Sequence, residues 1–188
     1  MKIKFNKRIG FAVVFLLSAF LFIGLTMPFR VWLADVTEMR PTTALTPVLG
    51  MIFGLPAALG CSVGNLLSDL ISGYEVSYAI FSMIQQFIYG MVPYFLWKKL
   101  NKEHNGDEFR LDSISRMLKF CLVMLIDAFL IVICTGILNH AYSVTAFISM
   151  ENLYLFLNSF DSGLLFGCPL LIAGHLLQIY LENLKSDR

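Results

Sequence analysis

Four apolar stretches constrain what this chain can fold into. Ile9–Met27 and Tyr78–Trp97 contain no Asp, Glu, Lys or Arg. Met117–Leu138 contains Lys119 and Asp127, and Leu153–Leu181 contains Asp161 as its sole residue of those types. A helix needs about 20 apolar residues to cross a bilayer, and a helix satisfies its backbone hydrogen bonds internally, as hydrocarbon requires. Composition agrees. Hydrophobic residues make up 57% of the 188 and charged residues 14%, with mean hydropathy +0.73. A soluble domain is about 45–50% apolar and about 25% charged. A globule of this size leaves about a third of its unfolded surface wet, too much for so apolar a chain.

Between the first two stretches lies Thr42–Gly73, which is too long for one ordinary span and is interrupted by Pro56. One long helix here gives five spans. A short pair, 43–55 and 57–73, gives six. Lys and Arg collect in cytoplasmic loops, and this bias selects six. The N-terminus carries Lys2, Lys4, Lys7 and Arg8. The richest loop carries Lys98, Lys99, Lys102, Arg110, Arg116 and Lys119, and the tail carries Lys185 and Arg188. Six spans place all of these on the inner side. The expected fold is therefore an all-α transmembrane bundle with both termini cytoplasmic. It forms one domain, with helices near 9–27, 43–55, 57–73, 78–97, 117–138 and 153–181. The N-terminal run is longer than the apolar core of a cleavable signal and ends at Met27-Pro28-Phe29-Arg30 without a small-x-small site, so it reads as a retained helix. The plasma membrane of a bacterium is the expected location.

Several functions find no support. Net charge is +1, which gives no general attraction to nucleic acid. Cys61, Cys121, Cys134 and Cys168 fall inside apolar runs without C-x-x-C spacing, and His104, His140 and His175 are scattered. Such cysteines act as small apolar fillers, and no metal site or cofactor is expected. Walker A, HExxH and GxGxxG patterns are absent, so the chain does not read as an enzyme.

The positive signals are polar residues inside apolar helices. Gly50-x-x-x-Gly54 and Gly60-x-x-x-Gly64 permit close helix approach. Together with Pro47 and Pro56, they also mark the kind of interrupted segment that forms binding sites in transporters. Asn65 and Asp69 lie one turn apart on one face. Ser82, Gln86 and Tyr89 share a stripe, and so do Tyr154, Asn158, Asp161 and Leu165. Six spans place all of these in the outer half of the membrane, which suggests a polar pocket open to the outside. Interhelical hydrogen bonding is the plainer alternative. Arg30 and Arg40 are the sole basic residues on the outer side, in a loop with Asp35 and Glu38. They suit pairing with those acids, with lipid phosphates or with a ligand. Asp127 stands mid-helix, where a proton relay, an Arg partner or a ligand contact all remain open. His175, Gln178 and Glu182 share a face at the cytoplasmic end, as a helix does on emerging into water.

The profile resembles the substrate-binding S components of energy-coupling-factor (ECF) importers. Arg30-Val31 through Glu38, Ala44-Leu45-Thr46 and Gly60-Cys61-Ser62-Val63-Gly64-Asn65-Leu66-Leu67 look most like the queuosine-precursor uptake subunits. Ala12 and Ala19 are not four apart, unlike the Ala-x-x-x-Ala docking pattern of many S components. The resemblance implies six helices around an outward-opening pocket, with the loop after the first helix as lid. It also implies a transmembrane coupling protein and two ABC-type ATPases as partners. The expected function is capture of a small vitamin- or nucleobase-like molecule by Glu38, Arg40, Asn65, Asp69, Gln86, Asn158 and Asp161. The alternative is a membrane sensor or anchoring module that signals to a cytoplasmic partner.

Overall fold

A computed structural model describes residues 7–26, 31–33, 37–39, 42–101, 109–142 and 149–186. Its elements are α1 (Lys7–Thr26), β1 (Val31–Leu33), β2 (Thr37–Met39), α2 (Thr42–Phe53), α3 (Leu55–Ile71), α4 (Val76–Leu100), α5 (Ile114–Ala141), α6 (Met150–Leu165) and α7 (Gly167–Ser186). The helices α1, α4 and α5, and the continuous pair α6–α7, are each long and apolar enough to span a membrane. With α2 and α3 they form a six-helix transmembrane bundle. The expected final helix breaks at Phe166, between α6 and α7. Pro169 accounts for the break, because its ring and missing N–H interrupt the ladder one turn earlier.

The α2–α3 pair is short. At 12 and 17 residues, the two helices run about 18 Å and about 26 Å, less than the roughly 30 Å hydrocarbon core. Gly54 makes the turn between them at φ 68°, a conformation that glycine adopts without a steric penalty. Pro56 follows in the first turn of α3, where its missing N–H costs nothing.

Both GxxxG pairs work as packing devices. A Cβ at Gly50 would strike the backbone carbonyl of Gly90, and one at Gly60 would strike that of Phe15. One at Gly64 would lie 2.9 Å from the Ala19 carbonyl oxygen. Glycine therefore lets α2 approach α4, and α3 approach α1, at backbone distance.

Helices α2, α4, α5 and α6 each pack on the next, and α6 returns to α2, so the four close a ring. Helix α3 packs outside it against α2 and α4, and α1 lies on α3. The strands form an antiparallel ribbon with Val31 opposite Met39, Trp32 opposite Glu38 and Leu33 opposite Thr37. This small β element interrupts the expected all-helical chain, and β2 packs against α6. The core of the ring, with Val48, Met51, Trp97, Phe120, Val123, Met124 and Leu171, lies toward the end opposite the ribbon.

Candidate functional site

Between that core and the ribbon end, the ring carries a layer of polar side chains. Its construction starts at Pro47. Proline has no N–H, so the carbonyl of Thr43 one turn earlier loses its helical donor. In hydrocarbon such a group must find another partner, and here the Tyr89 hydroxyl of α4 donates to it at 2.9 Å. One turn toward the ribbon on α4, Gln86 Nε2 donates to Thr46 Oγ1 at 2.6 Å. Gln86 and Tyr89 of the polar stripe read on α4 thus face α2, where Thr46 and Thr43 answer them.

Asp127 of α5 faces the same interior. It is 1% exposed, lies within electrostatic range of Tyr89, and has no hydrogen-bond partner for either oxygen among the described residues. Across from α5, α6 presents Ser159, also buried, whose hydroxyl has no partner among the described residues. The level is set by Gly163, one turn along α6, where a Cβ would lie 3.1 Å from the Met124 sulfur. Met124 precedes Asp127 by one turn of α5 as Ser159 precedes Gly163, so Asp127 and Ser159 stand at matching depth. A buried polar group left unpaired costs about 1–3 kcal/mol. Two such groups at one depth, within a ring of four helices, are an arrangement that a polar ligand would complete.

The seven residues expected from sequence divide. Gln86 lies in the ring as described. Asn65 and Asp69 belong to α3, outside the ring, and form a clasp: Asn65 Nδ2 donates to Asp69 Oδ2 at 3.0 Å and to Ser82 Oγ of α4 at 2.7 Å. Asn158 is buried, and its Oδ1 accepts from Ser162 Oγ at 3.1 Å. Asp161 is exposed on the outer surface of the bundle, so it does not look the same way as Asn158. The physical reason is the orientation of α6. Its buried residues are Asn152, Asn158, Ser159, Ser162 and Gly163, and Asp161 lies about 140° from their mean direction at 3.6 residues per turn. Glu38 sits on β2 opposite Trp32. Arg40, together with Arg30 and Asp35 of the expected charged loop, lies outside the described residues.

Sequence reading missed Thr43, Thr46 and Ser159. The signal for Ser159 was Ser159-x-x-x-Gly163, a small-x-x-x-small pair of the type that faces neighbouring helices. The signal for Thr43 was its place one turn before Pro47.

Residues 8–182 match the family model of the ECF-type riboflavin transporter, S component. No curated protein and no solved structure matches the chain. The match is to the riboflavin type and not to the queuosine-precursor type, the reading drawn from Arg30–Glu38, Ala44–Thr46 and Gly60–Leu67. The glycines of the last stretch are accounted for by packing on α1. Members of the matched family are substrate-binding subunits of transporters rather than enzymes. Carried by nearly the whole chain and consistent with its six-helix membrane bundle, this match makes the protein a member of the ECF-type riboflavin transporter S-component family.

Proposed function

We propose that this chain captures riboflavin, or a flavin closely related to it, at the outer face of a bacterial plasma membrane and delivers it to an ECF import complex. The observation that carries this reading is the family match over residues 8–182. The polar layer supports it chemically. The pyrimidine edge of a flavin offers one N–H between two carbonyls, and its ribityl chain offers hydroxyls. Asp127 supplies acceptors, Ser159 supplies a hydroxyl, and Gln86 supplies an amide that can both donate and accept. A pocket with apolar walls and a few placed polar groups is the usual form of a small-molecule site. In this reading the basic residues hold both termini and the Lys98–Lys119 loop in the cytoplasm. The ribbon then lies outside, against α6, as a cover for the pocket. Energy comes from a transmembrane coupling protein and two ABC-type ATPases.

The test is titration of the purified protein with riboflavin, read by quenching of flavin fluorescence. Saturable binding at one site per chain is expected, and a nucleobase panel should not compete. Absence of quenching by protein that stays monodisperse would sink the flavin assignment.

A further inference from the structure

At the end of the bundle opposite the ribbon, the segment leading into α5 meets the side of α7. Between them is a cavity of about 400 Å³. Phe109 and Leu111 on one side, and Ile172 and Ile179 on the other, give it apolar walls. Its polar lining is Arg110, Asp112 and His175. The charges do not cancel. The Asp112 carboxylate already accepts from Arg116 at 2.9 Å. Arg110 is exposed and has no acidic partner among the described residues. His175 Nδ1 is buried with no hydrogen-bond partner among the described residues. One guanidinium, unpaired among the described residues, and one imidazole therefore line a space whose walls are otherwise largely apolar.

Position narrows the occupant. Arg110 and Asp112 stand just before α5 begins at Ile114, where the chain enters the apolar layer. Ile172 and Ile179 are 47% and 37% exposed on the flank of α7, the surface that hydrocarbon covers. A soluble anion has no use for those walls. An amphiphile with a phosphate at the boundary and a chain running along α7 satisfies both. We propose that this cavity binds an anionic phospholipid, with the phosphate held by Arg110 and His175 and one acyl chain lying against Ile172 and Ile179. Guanidinium groups bind phosphate through charge-assisted, often bidentate hydrogen bonds, and basic pockets between helices at a membrane boundary suit acidic headgroups. The site is separate from the flavin layer and stands or falls independently of it.

The experiment is native mass spectrometry of the intact chain, released from nanodiscs containing equal phosphatidylglycerol and phosphatidylcholine. The wild type should retain phosphatidylglycerol over phosphatidylcholine by about tenfold, the scale expected of one or two basic groups at a membrane surface. Arg110→Gln, at an exposed position that leaves the packing intact, should remove most of that preference, and Arg110→Lys should restore part of it. Lys99→Gln, which removes an exposed cation outside the cavity, should leave it unchanged. Equal retention of the two lipids by the wild type would overturn the proposal. So would a preference that Arg110→Gln leaves intact. Displacement of the retained lipid by inorganic phosphate would reassign the cavity to a soluble anion and would also overturn it.

Discussion

Asp127 and Tyr89 occupy neighbouring places in the ring but do opposite jobs, and substitution separates them. Tyr89 supplies the donor that Pro47 took from Thr43. Tyr89→Phe should leave that carbonyl unpaired and lower thermal stability in detergent by about 1–3 kcal/mol. Asp127 has no such debt to the fold, since neither oxygen is paired among the described residues. Asp127→Leu removes an unsatisfied buried group, so the ligand-free protein should melt at a higher temperature. Its riboflavin affinity should fall about tenfold or more if a charge-assisted hydrogen bond of about 1.5–3 kcal/mol is lost. Stability gained where binding is lost is the mark of a residue kept for function. Unchanged affinity would take Asp127 out of the site. Asn65→Ala is the contrasting case. Its clasp with Asp69 and Ser82 lies outside the ring, so the cost should be about 0.6 kcal/mol of stability, with flavin affinity unchanged. Sequence made Asn65 and Asp69 conspicuous because polar pairs at helical spacing are easy to see. It hid Ser159 and Thr46, because a hydroxyl in an apolar run reads as a small filler until its neighbours are known.

Among the helices, proline and glycine decide which surfaces meet. The two GxxxG pairs were legible as close-approach motifs, but their partners were not: nothing in the spacing says that Gly60 meets Phe15 of α1 while Gly50 meets Gly90 of α4. Gly60→Ala should force α1 off α3 and cost about 1–3 kcal/mol, as overpacking does. Gly24→Ala, on the same α1 with nothing within 4 Å of the added carbon, should be neutral or gain up to about 1 kcal/mol from helix propensity. Melting curves of the pair in one detergent make the comparison, and equal shifts would remove the packing role. Helix α6 shows where a periodic stripe misleads. Tyr154, Asp161 and Leu165 do share a direction, but the small residues Ser159, Ser162 and Gly163 turn the opposite side inward. In lipid the outward face need not be polar, so polarity alone cannot tell inside from outside. Small size, which lets helices touch, is the better guide.

For the whole molecule, the direction of transport rests on which end of the bundle faces out. The polar layer lies on the ribbon side of the apolar core, so under the proposed function a ligand enters from the ribbon end. Import then requires that end to be outside, and the inner side to hold the 12 basic residues at the N-terminus, the Lys98–Lys119 loop and the tail. Cysteine labelling decides this. The native cysteines Cys61, Cys121, Cys134 and Cys168 are free and would first be replaced by Ala. In that background, Tyr74→Cys sits in the exposed turn after α3 and Lys99→Cys at the exposed end of α4. A membrane-impermeant maleimide should label Tyr74→Cys in intact cells and Lys99→Cys only after permeabilisation. The reverse pattern would place the pocket mouth in the cytoplasm and end the import reading, even for a protein that binds flavin. Labelling of both positions in intact cells would mean that α4, the helix between them, does not cross the membrane. Charge asymmetry predicts the first outcome because each basic residue moved across the membrane during insertion opposes the orientation that carries it.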